Sequence, residues 1–475
     1  MKKITFAILI SILSLTVNAQ TDIKIKVKNI KDTIAILGYH FGNKQYVTDT
    51  FKVKNGFCHI ENEKNYPLGM YFILFPQNEN RFFDFIMDND QNFSITTDTA
   101  ELYLKNIKIK SSLSNTELQK LNKKLNPVNK EFARISKLLK NDTLKQKIKD
   151  SLLLEVKHLE DKKNKIILQE YEKAKSPVFK DMLGVLCEIE VPEIKIPDTV
   201  QNKDSLRQIK EYYYYKNHYW DYVNFDDSAI VRTPFFQPKF ERYISKVISQ
   251  NPDTVLAEGI KLIEKSKSNL SLYSYLINYM LVYNEKSKRM GMDKVFVEIA
   301  KQYYQTGKAT WADSAYKAKV IDKMKRTEYN LIGNKAVNLE LISDKGEKVS
   351  LYDLDNDFVI IVFWSPTCGH CKKEIPQLYN IYSKLLEKGV DVEVLAVLEN
   401  QDTVKWHKFI ADKQINNWIN AYDKDWKSYF HFYYDVYYTP TSYLLDKNKK
   451  IIAKRLSPKQ LENYILYLNE KKNGD

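Results

Sequence analysis

The sequence predicts a multidomain chain: an N-terminal all-β, sandwich-like domain, a helical middle region and a C-terminal α/β domain. Three observations carry this reading. Residues 21 to about 110 hold short β-branched and aromatic runs punctuated by Asn, Gly and Asp. Between Leu118 and Tyr304 apolar residues recur at helical spacing. Phe358-Val-Ile-Ile-Val-Phe-Trp364 is an unbroken apolar run of strand length that leads into Cys368-Gly-His-Cys371 and another helical pattern. A chain of 475 residues also exceeds what one core organises. The expected divisions are 1–19, a signal peptide; 20–110, a small β domain; 111–330, a helical region; and 331–475, the α/β domain.

Met1-Lys-Lys3, the apolar run from Ile4 to Val17 and the small-residue ending Val17-Asn18-Ala19 form a secretory signal peptide, with cleavage expected after Ala19. The run is short for a membrane span and no later stretch is longer, so no transmembrane segment is expected. No Cys follows the cleavage point, so no lipid anchor is indicated. A Lys-rich signal of this kind points to the bacterial periplasm, where disulfide chemistry is permitted.

In the β domain, Ile23 to Val27 alternates apolar with basic, and further strands are expected at Thr33 to Gly38, Gln45 to Val53, Met70 to Phe75, Phe82 to Met87 and Asn92 to Thr97. His40 and His59 read as packed or strand-end residues, not metal ligands. Ser114-Asn-Thr-Glu117 fits a capping box opening a helix whose stripe runs Leu118, Leu121, Leu125, Val128, Phe132, Ile135 and Leu139, with a kink or interruption at Pro127. Asn141-Asp142 turns the chain into a second helix striped by Leu144, Ile148, Leu152, Val156 and Leu159. An antiparallel hairpin follows, its stripes expected in the core, with a dimer contact as the other use of such long arms.

Pro177 and the stretch Glu190 to Pro197 break the pattern. Glu211 to Tyr222 is the most aromatic window, read either as packing or as a platform for substrate chain or glycan. Helices resume over Phe240 to Ile248, Thr254 to Ile263, Leu272 to Val282 and Val295 to Tyr304, and residues 305 to 335 are expected as a connection. Leu339 to Ile342 with Val349 to Leu351 reads as a hairpin, Val392 to Val397 as a strand, Thr403 to Ala411 as a helix, Ser442 to Leu445 with Ile451 to Ala453 as a closing antiparallel pair, and Lys459 to Leu468 as the last helix.

The chemistry concentrates at the dithiol. Pro366 and Thr367 mark a turn, and Ile375, Leu378, Ile381, Leu385 and Leu386 recur at helical spacing, so Cys368 is expected at a helix N-terminus with Cys371 one turn in. The positive end of a helix dipole stabilises a thiolate, the nucleophile of disulfide exchange. Cys368 is then the attacking thiol and Cys371, on the same face and better shielded, resolves the mixed disulfide. The imidazole of His370 lends the thiolate positive charge and makes the pair more oxidising. A zinc site would need further Cys or His ligands at close spacing, and the sequence has no second Cys-x-x-Cys. A structural bridge closing so small a loop would constrain little chain entropy.

Trp364 to Pro376, together with Thr439-Pro440, resembles the thioredoxin superfamily and its periplasmic TlpA/ResA-like branch, over roughly the last 145 residues. The resemblance implies a thioredoxin-like fold with an inserted βα unit, a helix-kinking Pro376, a cis Pro440 beside the dithiol, and a substrate chain held by Thr439, Pro440 and Trp364. Glu374 matches the branch's Glu three residues after the second Cys; the alternative is a first-turn helix acid favoured by the dipole. Where thioredoxin has a buried Asp this chain has Val362, so proton handling falls to Glu374 or water. The middle pair Gly-His is that of protein disulfide isomerase. The Pro and Thr of peroxiredoxins are replaced by Ile361 and Ser365, against a peroxidase.

Four cysteines are too few for a disulfide scaffold; Cys58 and Cys187 read as small buried hydrophobes, their pairing open. The formal charge of +14 becomes +12 when Lys2 and Lys3 leave with the signal. The excess is lysine spread along helical faces such as Lys120 to Lys165, which reads as solvated surface and not as a nucleic-acid site. The expected function is a periplasmic thiol-disulfide oxidoreductase that reduces protein disulfides of the cell envelope, with no cofactor and no metal, recharged by a membrane dithiol electron carrier. The alternatives are an oxidant or isomerase, and an envelope binding protein whose first 330 residues carry recognition.

Overall fold

The computed structural model describes residues 20–77, 81–100, 105–141 and 143–474. The signal peptide with its cleavage after Ala19, and Asp142 of the inter-helix turn, lie outside the described residues. The chain forms two compact units: one reaches to Gln250 and includes Lys261–Tyr275, and the other comprises Asn251–Ile260 and Leu276 onward.

The first unit opens with strands β1 (Thr21–Lys28), β2 (Ile34–Phe41), β3 (Lys44–Lys54), β4 (Phe57–Asn62), β5 (Gly69–Phe75), β6 (Arg81–Met87), β7 (Gln91–Asp98) and β8 (Lys108–Lys110). Their hydrogen-bonded order is β6-β5-β2-β3-β4-β1-β7-β8. The long β3 pairs along the whole of β2 but reaches β4 only through Val53 and Lys54. Ile23 and Ile25 of β1, Phe93 and Ile95 of β7, and Leu37, Ile73, Phe83 and Phe85 of the other half share one core. Facing strands with every second residue turned inward make the expected sandwich-like layer.

Helices α1 (Leu113–Leu139), α2 (Gln146–Lys173), α3 (Pro177–Leu186), α4 (Lys203–His218) and α5 (Phe236–Arg242) follow. Ion pairs Lys124–Glu170 and Arg134–Glu155 fix α1 and α2 as an antiparallel hairpin. Two expectations need correction here. The N-cap of α1 is Ser112, whose hydroxyl accepts the Asn115 N–H. Ser114 and Glu117 serve tertiary contacts instead: Ser114 bonds Asp88 and Ser176, and Glu117 accepts the N–H groups of Lys175 and Ser176. Pro127 lies inside α1 without interrupting it. The stripe of α2 is not core: Ile148 is 49 % exposed, and Ile167 is the residue of that helix that is buried. The aromatic window divides, with Tyr219 and Trp220 buried against Tyr243 and Phe240 while Tyr212 and Tyr213 stay exposed.

Helices α6 (Pro252–Lys265) and α7 (Leu270–Glu285) come next in the chain. In the second unit, α8 (Asp293–Ile299) continues as a π-helical turn to Gln305. The expected connection then contains a helix, α9 (Ser314–Tyr329), with Asp313 as N-cap accepting the Tyr316 N–H and Val320, Met324 and Thr327 buried. Val320 and Met324 are the buried apolar positions of α9, which runs through a lysine-rich segment.

Its sheet is built from β9 (Glu340–Ser343), β10 (Lys348–Ser350), β11 (Phe358–Trp364), β12 (Val392–Leu398), β13 (Ile419–Tyr422), β14 (Thr441–Asp446) and β15 (Ile451–Lys454), in the order β10-β9-β13-β12-β11-β14-β15. Helices α10 (Cys371–Glu387), α11 (Thr403–Lys413), α12 (Phe430–Tyr433) and α13 (Pro458–Gly474) complete it. β11 is parallel to β12 and antiparallel to β14, and all seven of its residues are buried. Ile360, Val362 and Trp364 enter one core layer and Val359, Ile361 and Phe363 the other. Burial on both faces explains the unbroken apolar run. Among the described residues no helix is long and apolar enough to cross a membrane.

Candidate active site

β11 delivers the chain from the middle of the sheet into the turn Ser365-Pro-Thr367. Ser365 Oγ accepts Asn400 Nδ2–H at 2.8 Å and lies 2.9 Å from the Thr367 hydroxyl, which ties the turn to the end of β12. The sequence placed Cys368 at a helix N-terminus and Cys371 one turn in; the structure starts the helix three residues later. Cys371 opens α10 and His370 is the N-cap. Cys368 stands just before, with its carbonyl accepting the Lys372 N–H at 3.1 Å and its sulfur accepting the Cys371 N–H at 3.4 Å. The reason is the turn: Cys368 N–H is bound to Ser365 O at 3.2 Å, so the chain is still closing that turn at Cys368.

The two sulfurs occupy contrasting environments. Cys368 is half-buried, and Cys371 is fully buried. Burial works against ionisation of Cys368, but hydrogen bonds from the Thr439 side chain, the Cys371 and His370 backbone N–H groups and the Cys371 thiol outweigh it and hold the thiol below its ordinary value. Burial pushes the Cys371 thiol up to about 12. An accessible thiol that ionises readily beside one that does not is the asymmetry that disulfide exchange requires.

The Thr439–Pro440 peptide is cis, and as a thiol Cys368 donates to the Thr439 carbonyl at 3.2 Å. Glu374, in the first turn of α10, lines a cavity of about 360 Å³ with Val362, Tyr438, Pro440 and Arg455. Among the described residues its carboxyl has no hydrogen-bond or ion-pair partner, and it shares this cavity with the apolar Val362. The His370 side chain is exposed. Pro376 lies inside α10. Trp364 requires correction: its ring is fully buried against Phe409, so it supports the end of β11 from beneath and has no surface for a substrate. Cys58 and Cys187 are both free, each in its own core cluster. Among the described residues no group of His, Cys, Asp or Glu is arranged to hold a metal ion.

Sequence reasoning missed the support of the loop carrying Thr439. Asp435 accepts Arg326 Nη1–H at 2.7 Å and Arg455 Nη2–H at 3.0 Å. The Arg326 guanidinium stacks 4.3 Å from the Tyr437 ring centre and that of Arg455 5.3 Å from Tyr438. Tyr437 and Tyr438 are 67 % and 53 % exposed and directly precede Thr439, so they flank the dithiol. Their position before Thr439-Pro440 was a usable signal. Arg326 had none, since it reaches Asp435 across 109 residues from a helix that the sequence did not announce.

Comparison with known proteins finds relatives of the α/β domain. Residues 332–454 match the model of the AhpC/TSA family, and residues 139–330 match a domain of unknown function, DUF5106. A thiol-disulfide oxidoreductase ResA of Bacillus cereus is 34 % identical over 137 residues, which is 28 % of this chain and 76 % of that protein. The ResA of Bacillus anthracis is 32 % identical over 145 residues, again 28 % and 76 %. A domain of a possible thiol-disulfide isomerase from Cytophaga hutchinsonii is 37 % identical, with 30 % of this chain and 97 % of that one covered and a TM-score of 0.28. Through its C-terminal α/β domain the chain belongs to the thioredoxin-like thiol-disulfide oxidoreductases of the ResA family.

Proposed function

We propose that this protein reduces disulfides of exported proteins in the periplasm through Cys368 and Cys371. The observation that carries the reading is the contrast between a half-buried thiol held below its ordinary value and a fully buried one pushed up to about 12. The Cys368 thiolate attacks a substrate disulfide, forming a mixed disulfide and releasing one substrate thiolate. Cys371 then loses its proton and attacks Cys368 Sγ, releasing the second substrate thiolate and leaving the Cys368–Cys371 disulfide. Both electrons reside in the substrate thiols, and a membrane dithiol carrier returns two electrons and two protons. Glu374, three residues after Cys371 in the first turn of α10, accepts the Cys371 proton, and Thr439 and Pro440 hold the substrate backbone. The Lys-rich leader supports export, and disulfide-bearing envelope proteins are the substrates.

A second reading, oxidant or isomerase, draws on the same lowered Cys368 thiol, because stabilising the thiolate stabilises the reduced enzyme. The reduction potential of the pair in the mature protein, titrated against glutathione or dithiothreitol, separates them. A value of about −250 mV or below supports the reductase, and one at about −180 to −120 mV supports the second reading. No reversible dithiol transition, or full insulin reduction by Cys368→Ser, overturns both.

A further inference from the structure

The first unit contains a cleft of about 610 Å³ far in sequence from the dithiol, between the outer face of β5–β6 and helices α1, α2 and α3. Its place follows from the strand period. Phe83 and Phe85 of β6 point into the sandwich, so Phe82, Asp84 and Ile86 point out, toward the helices. Met70, Ile86, Leu121, Leu125, Met182 and Leu183 supply apolar walls, each of them buried. Protein interiors close around voids much smaller than this one, and an apolar cavity of about 150 Å³ already takes up benzene. The cleft has the volume and apolar lining of small-molecule sites, which span about 300–1,000 Å³.

Its polar groups are few, and they indicate which molecule fits. Asp84 is engaged by His40 Nε2 at 2.8 Å. Asn122, Asn129 and Lys163 also line the cleft, and Asn129 with the 38 % exposed Phe82 marks its mouth. Lys163 is the cation on the lining, half-buried, and among the described residues its ammonium has no ion-pair or hydrogen-bond partner. An apolar lining that carries one ammonium and two amides suits a single-chain amphiphile whose tail leaves water and whose anionic head meets Lys163.

We propose that this cleft binds a long-chain carboxylate, tail between β6 and α1–α3 and head at Lys163. The inference is independent of the redox reading. The full mature protein is titrated with cis-parinaric acid, followed by displacement with hexadecanoate and with hexadecanol. One saturable site per chain is expected, and Lys163→Glu weakens hexadecanoate at least about tenfold while leaving hexadecanol within about twofold. Met182→Trp, which fills the cleft, abolishes both. Lys163→Glu alters only a half-exposed side chain, so the test survives a folding failure of Met182→Trp. Absence of saturable binding, equal hexadecanoate affinity in Lys163→Glu, or capture of an apolar peptide in place of hexadecanoate overturns the proposal.

Discussion

Removing Cys368 should silence the thiol chemistry of the reduced native protein, although three cysteines remain. Burial pushes Cys58, Cys187 and Cys371 each to about 12. At pH 8 an ordinary thiol, with a value near 9.0, is about one-tenth thiolate. A thiol at about 12 is ionised to only about one part in ten thousand at that pH, roughly a thousandfold less. Cys368 departs in the opposite direction and is the partly exposed one. Reduced protein is exposed to iodoacetamide at pH 8 and the adducts are counted by intact mass. Wild type should gain one adduct quickly, Cys371→Ser should also gain one, and Cys368→Ser should gain none on that timescale, while in urea every remaining thiol reacts. Alkylation of native Cys368→Ser at the wild-type rate, or two adducts forming together in wild type, would refute burial as what silences the other thiols.

The remaining predictions concern stability. Arg326→Ala removes one of the two arginines on the largely buried Asp435 and the stack on Tyr437, a loss of about 2 kcal/mol for a charge-assisted pair. A second thermal transition lowered by about 4–8 °C is expected for a unit of this size, and an unchanged transition would show that Arg455 holds Asp435 alone. Gly184→Ala would place a Cβ 2.1 Å from the Tyr222 carbonyl oxygen, a backbone atom, and should cost about 1–3 kcal/mol in urea unfolding. Gly369→Ala meets nothing within 4 Å and should leave stability within about 0.5 kcal/mol. The buried thiols also set an alkaline limit. Below pH 9 folded and unfolded chains both keep these protons; between pH 9 and 12 only the unfolded chain loses them, so stability of the reduced protein falls as pH rises, by up to about 1.4 kcal/mol per pH unit for each thiol. Unfolding midpoints in urea at pH 8.5, 9.5 and 10.5 measure this, and replacing Cys58 and Cys187 with Ala should flatten the fall.

Local pattern was enough where neighbours in sequence are also neighbours in space. The apolar run Phe358–Trp364 fitted an inner strand, and the stripe after the dithiol fitted a helix, because each signal lies within one element. Reading failed where a residue answers to a distant partner. Ser114 and Glu117 have capping-box spacing, yet Asp88, Lys175 and Ser176 claim them. Leu152 and Val156 keep helical spacing in α2, but periodicity records which residues share a face and not whether anything covers it.

The sequence by itself determined the β, helical and α/β order of the chain, the inner strand, the dithiol and the proline beside it. Only the tertiary structure decided that Cys368 precedes the helix, that Trp364 is buried beneath the site, and that Arg326 and Arg455 converge on Asp435 below Tyr437 and Tyr438. The physical reason is range. Backbone periodicity is written in spacings of two to four residues, whereas burial and hydrogen-bond partnership depend on which elements the whole fold brings together.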